Sequence, residues 1–307
     1  MRKVLLATTA LVAMSVTAAQ ADVSVGGTAV FEIYSPADGA QTFTTDGSVV
    51  ISGTSTTDSG LTFKAVVDRK FEGSDTSGSM TAAADLVTVI ASDTNDSYIE
   101  VSGDFGTLRA GYTDGALDRM DGALAANMDL EGTGAGTGNL SATAIGGDSQ
   151  NVSLHLPAMS GLSLYGETQA DGAGSGLGMN YTIAGVSLMV QQATGGDGPD
   201  MTAMGASFGM GGIKVNVGST TKDATATAAK ISANDIGMSY TMGDITLVAT
   251  SARGKQTTAG VERTDKYSNV GVKYSIAPGI SAMVESGQAT INGTETDATW
   301  AALSVAF

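Results

Sequence analysis

The feature that most constrains this chain is the period of its apolar residues. From residue 22 onward they recur at every second position in short runs, and no long window carries a 3.6-residue period. The closing run is the clearest: Thr299, Ala301, Leu303, Val305 and Phe307 alternate with Trp300, Ala302, Ser304 and Ala306. Alternation of this kind sends successive side chains to opposite faces of a strand. Running to an aromatic residue, it predicts a final strand with one face in hydrocarbon and one in water. After the first 21 residues no segment is apolar enough for a membrane helix. Strands must then do the crossing, and in lipid they do so only as a closed barrel, because an open edge leaves backbone groups unpaired.

Runs of this type are expected at 23–35, 43–56, 61–72, 97–102 and 107–112. After a strand-poor stretch, more are expected at 150–157, 162–170, 176–183, 186–194, 201–209, 213–220, 230–242, 245–253, 267–276, 280–290 and 297–307. Tight Gly/Asp/Ser turns and longer polar loops separate them alternately, as in antiparallel membrane barrels. The count is about 16, an even number that puts both chain ends on one side of the membrane. The predicted fold is all-β: one transmembrane antiparallel barrel over residues 22–307, with the long segment 113–149 folded into the lumen.

Residues 1–21 read as a cleaved secretory signal peptide. Arg2 and Lys3 form its basic start, 4–16 is mainly apolar, and Ala19-Gln20-Ala21 fits a small-x-small cleavage site. Removing Arg2 and Lys3 leaves 13 basic against 31 acidic residues, a net charge of −18. A chain so acidic is unsuited to nucleic acid, whose phosphates need clustered Lys and Arg. The absence of cysteine excludes disulfides, zinc-thiolate sites and thiol catalysis.

Two segments carry a family resemblance. Ser52-Gly53-Thr54-Ser55-Thr56-Thr57-Asp58-Ser59-Gly60-Leu61-Thr62-Phe63 resembles the second-strand, turn and third-strand segment of general porins. Tyr98-Ile99-Glu100-Val101-Ser102-Gly103-Asp104-Phe105-Gly106-Thr107-Leu108-Arg109-Ala110-Gly111-Tyr112 resembles the hairpin before their constriction loop. The chain is most similar to alphaproteobacterial, Rhodobacter-type porins of Gram-negative bacteria. The resemblance implies a 16-stranded homotrimer in the outer membrane that passes ions and small hydrophilic solutes. It also implies that 113–149 narrows the lumen, although the P-E-F-G-G sequence of enterobacterial constriction loops is missing here.

Selectivity in such a pore follows the charges lining its narrowest part. The candidate loop carries Asp114, Asp118, Asp121, Asp129 and Glu131, with Arg119 among them. Alternation turns Lys64, Lys70, Arg109, Lys214 and Lys273 inward, so these acids are expected to face a basic wall. Phe31, Tyr34, Tyr112, Tyr240, Tyr274 and Phe307 are expected outward, in interfacial girdles or a subunit interface. No cofactor is expected. Asp114 with Asp118, and Asp129 with Glu131, are weak calcium candidates, since Ca²⁺ takes several oxygen ligands. Expected partners are membrane lipid, lipopolysaccharide and the machinery that reads a terminal strand ending in Phe307.

Other classes fit less well. His155 is the only histidine, within an alternating run and without a nucleophile motif around it, so an enzyme is not expected. A substrate-specific channel often carries an aromatic track, and aromatics are only 5% here. A surface β-protein or adhesin accounts for the Gly, Thr and acidic residues but not for the hairpin rhythm or the terminal strand.

Overall fold

The computed structural model describes residues 22–37, 39–74, 96–124, 130, 149–170, 174–195, 200–223, 230–258, 261–291 and 293–307. The expected leader, Asp129 and Glu131 lie outside the described residues. Alternation without a buried second layer has one stable outcome, a sheet closed on itself. Sixteen strands form it: β1 (Asp22–Pro36), β2 (Thr42–Thr56), β3 (Thr62–Ser74), β4 (Ser97–Gly103), β5 (Gly106–Thr113), β6 (Ser149–His155), β7 (Leu162–Gln169), β8 (Gly174–Ile183), β9 (Val186–Gly195), β10 (Met201–Met210), β11 (Ile213–Lys222), β12 (Lys230–Met242), β13 (Ile245–Thr258), β14 (Val261–Ala277), β15 (Ile280–Ile291) and β16 (Thr294–Ala306). Each pairs antiparallel with its sequence neighbours, and β1 pairs with β16 to close the ring. Gly27 and Phe307 seal the seam by exchanging two backbone hydrogen bonds of 3.0 Å each.

Two-residue turns join several hairpins. Ala184 and Gly185 connect β8 to β9 with φ of 50° and 81°, and Gly211 and Gly212 connect β10 to β11 with 60° and 84°. Both central residues of these two turns are left-handed, a type I′ geometry that matches the strand twist and that glycine adopts without steric cost.

The two faces sort as the alternation requires. Phe31, Ile51, Phe63, Ile99, Leu108, Leu177, Met204, Ile236, Val272 and Leu303 are exposed on the outer surface, which is the lipid-facing side of a barrel. Their neighbours in sequence point inward, where Trp300, Glu285, Asn216 and Gln191 are buried.

Two expectations change. Tyr34 faces the lumen, not the membrane. It lies directly opposite the buried Trp300, and opposed residues of an antiparallel pair share a face. Phe31 and Tyr34 are three residues apart in one regular strand, so they cannot share a face. β13 and β14 also run beyond their expected ends at 253 and 267, to Thr258 and from Val261. Their upper outward residues are polar, so the hydrophobic alternation fades there while the backbone ladder continues.

Candidate pore constriction

The segment after β5 turns inward because the wall offers it partners. Thr113 is buried, and its carbonyl accepts 2.6 Å from Asn151 Nδ2 on β6. A single helical turn follows, α1 (Ala116–Arg119). Its start has no side-chain cap of its own. Glu167 supplies one from the β7 wall on which the turn packs, where its Oε2 accepts from the Leu117 N–H at 3.1 Å. A carboxylate at a helix start satisfies a free N–H and meets the positive end of the peptide dipoles.

The next anchors are amides on successive strands. Gln191 Nε2 on β9 donates to the Leu117 carbonyl at 2.6 Å and contacts Tyr165 Oη at 3.1 Å. Asn180 Nδ2 on β8 donates to the Met120 carbonyl at 3.0 Å. Asn216 Nδ2 on β11 bridges the carbonyls of Gly122, at 3.1 Å, and Leu124, at 2.9 Å. Leu117 and Leu124 are buried against Tyr165, Met189 and Ala203. Burying each leucine contributes about 1.5–3 kcal/mol, so apolar contact and hydrogen bonds hold the segment together. Leu130 reappears farther round the wall, its N–H 2.6 Å from Glu285 Oε2 on β15.

Small wall residues make this approach possible. A Cβ on Gly176 would overlap Leu117 Cδ1, and one on Gly205 would press on Ala123 at 3.1 Å.

Lys64 and Lys70 project inward from β3, and Arg109 from β5. Register places Lys64 opposite Glu100, and Glu100 opposite Arg109. Arg109 sets Nε and Nη2 on Glu100 Oε2 at 3.1 and 2.8 Å and lies 4.1 Å from the Tyr98 ring centre. Lys214 lies beneath the segment, with Nζ 3.5 Å from the Gly122 carbonyl. Lys273 belongs to a recess of about 300 Å³ shared with Glu32, Leu130 and Trp300. The five cations are therefore distributed, three on β3–β5 and one each on β11 and β14. Asp114, Asp118 and Asp121 lie before, in and just after α1. Among the described residues no three His, Asp or Glu side chains converge as metal ligands.

Arg119 leaves α1 for the wall. Its Nη2 donates to Ser153 Oγ at 2.8 Å and meets His155 Nε2 at 3.0 Å. An arginine only donates, so His155 accepts at Nε2 and carries its proton on Nδ1. The imidazole stacks on Tyr165, with ring centres 5.8 Å apart. Glu100, Glu167, Gln191, Asn216 and Glu285 are the functional candidates that sequence reasoning did not single out. Their one sequence signal is a polar residue at an inward position.

The sequence profile described as Gram-negative porin matches residues 7–294. Among solved structures, the anion-selective porin from Comamonas acidovorans superposes with TM-score 0.72 at 14% identity, covering 94% of this chain and 100% of that one. The trimer form of OmpT, an outer membrane protein of Vibrio cholerae, gives 0.69 at 14%, covering 94% and 99%. A variant of the Rh. blastica porin gives 0.68 at 18%, covering 93% and 100%. No curated protein matches the chain in sequence.

Proposed function

The chain belongs to the Gram-negative porin family and is a general diffusion channel of the outer membrane, and we propose that the segment after β5 sets its size limit. The observation that carries this reading is the series of wall anchors from Asn151 to Asn216, which fix 113–124 inside the barrel. A solute passes through the water left between that segment and the facing wall. The work is done by exclusion and by charge, without catalysis or cofactor.

The charges then bias passage. Described lumen acids include Glu32, Asp68, Glu100 and Asp235, and Asp114, Asp118 and Asp121 join them from the segment. Arg109 is offset by Glu100, Arg119 keeps its charge against the neutral Ser153 and His155, and the acidic excess comes from the number of lumen carboxylates, which also include Glu167, Asp265 and Glu285. The proposed outcome is a mild preference for cations. It is mild because two unit charges ~10 Å apart in water interact by only about 0.4 kcal/mol, further screened by salt. The anion selectivity of the Comamonas protein does not transfer at 14% identity.

As OmpT has a trimer form, a homotrimer is the proposed assembly. Lipopolysaccharide and the machinery that receives the Phe307 strand are proposed partners. Liposome swelling with sugars of rising size tests the size limit. The wild type should show a sharp cut-off that moves upward when Gln191 and Asn216 are both replaced by alanine. An unchanged cut-off in the folded variant would refute the role of the segment.

A further inference from the structure

The outer surface carries one cross-strand pair that its own neighbours leave unexplained. Arg253 on β13 lies directly opposite Lys266 on β14, and both are exposed on the lipid-side face. Like charges in such a pair repel and weaken the sheet. Nearby charges are settled: Lys255 is paired with Glu262 at 2.9 Å. Among the described residues neither Arg253 nor Lys266 is in an ion pair, although the chain carries 31 acidic residues against 15 basic.

The height of the pair is informative. Arg253 is eight residues above Ile245, the start of β13. At ~3.4 Å per residue and a ~40° tilt that is roughly 20 Å up the wall, near the rim of a ~25 Å apolar band. Directly below it the outward Ser251 and Ser268 face each other, and beneath them the outward residues are apolar, with Leu247 and Ala249 on β13 and Val270 and Val272 on β14. A groove of about 480 Å³ lined by Ile213, Met238, Tyr240 and Leu247 opens farther down that face. Two exposed cations, with a polar Ser251–Ser268 step and then an apolar wall beneath them, match a molecule with anionic groups at one end and acyl chains at the other.

We propose that Arg253 and Lys266 form a binding site for the phosphorylated head group of lipopolysaccharide, with its acyl chains lying along β12–β14. The site rests on the outer-membrane placement of the barrel and not on the pore itself. The upper ends of β13 and β14, Thr258 and Val261, lie opposite the barrel end that carries the chain termini, so the pair meets the outer leaflet. A phosphate between the two side chains converts their repulsion into two charge-assisted hydrogen bonds. Asn234, opposite Arg253 on β12, adds a neutral polar group beside them.

The test uses folded protein in detergent, as wild type and as the Arg253→Gln/Lys266→Gln double variant. Each is incubated with diphosphorylated lipid A or with lipid A lacking phosphate, and retained lipid is counted by native mass spectrometry. The wild type should retain the phosphorylated form about tenfold better, as expected for two charge-assisted contacts, and the double variant should lose that preference. Equal retention of both lipids, or an undiminished preference in the double variant, would overturn the site. Heat-modifiable gel mobility verifies that the variant is folded. Conductance should be unchanged, since neither residue faces the lumen, and a change would refute the outward placement. Lipid retention and conductance are separate readouts, so failure of the site is distinguishable from failure of the pore reading.

Discussion

Replacing Asn216 by leucine isolates the force that holds the inward segment. Asn216 is fully buried on β11, and its Nδ2 serves the carbonyls of both Gly122 and Leu124. Leucine keeps the branched shape and removes both donors. A buried hydrogen bond contributes a net ~0.5–1.5 kcal/mol, so the pair is worth about 2 kcal/mol to the seated segment. A change of that size shifts the seated-to-released ratio by roughly 30-fold. The barrel ladder itself is untouched, because β10–β11 and β11–β12 pair through backbone groups. Single-channel recording should therefore show added current noise and brief substates. Liposome swelling should admit larger sugars, while gel mobility stays that of a folded barrel. A control on the outer face of the same strand, Val217→Leu, should change neither. Wild-type noise and cut-off in folded Asn216→Leu would refute the claim that these two contacts seat the segment.

Three further outcomes follow from named contacts. Gly176→Ala drives a methyl group into the seat of Leu117; overpacking of this kind costs about 1–3 kcal/mol, and the size cut-off should rise as it does for Asn216→Leu. Arg109→Ala leaves Glu100 without its ion-pair partner, so cation preference, read as the reversal potential in a salt gradient, should rise about twofold, and a shift toward chloride would contradict the charge reading. Deleting Phe307 removes the two hydrogen bonds to Gly27 and an exposed aromatic at the seam, so the yield of heat-modifiable barrel in the outer membrane should fall several-fold, whereas normal yield would show that this residue is dispensable for closure and delivery.

The barrel was legible because alternation is a local property, visible at every second residue and independent of distant contacts. The number of strands, the hairpin partners and the inward direction of Lys64, Arg109 and Lys273 follow from it. Tyr34 illustrates the cost of ignoring strict parity, since its aromatic character suggested a girdle while its register places it against Trp300. The upper ends of β13 and β14 were hidden because their outward residues are polar above the apolar band. The anchors of the inward segment were hidden for a different reason. Glu167 meets Leu117 across 50 residues of sequence, and Glu285 meets Leu130 across 155. An inward Gln, Asn or Glu in a wet lumen looks the same in sequence whether it meets water or a backbone carbonyl. His155 is such a case: sequence offered it no partner, and the fold brings Arg119 to it.

The central claim is an open pore narrowed by a wall-anchored segment and biased toward cations. Single-channel conductance of detergent-purified protein in a planar bilayer under a salt gradient tests it most directly. The account predicts ohmic steps in groups of three and a reversal potential of the sign expected for cation preference. Silence from folded, heat-modifiable protein would contradict the pore, and a reversal potential favouring chloride would contradict the charge assignment.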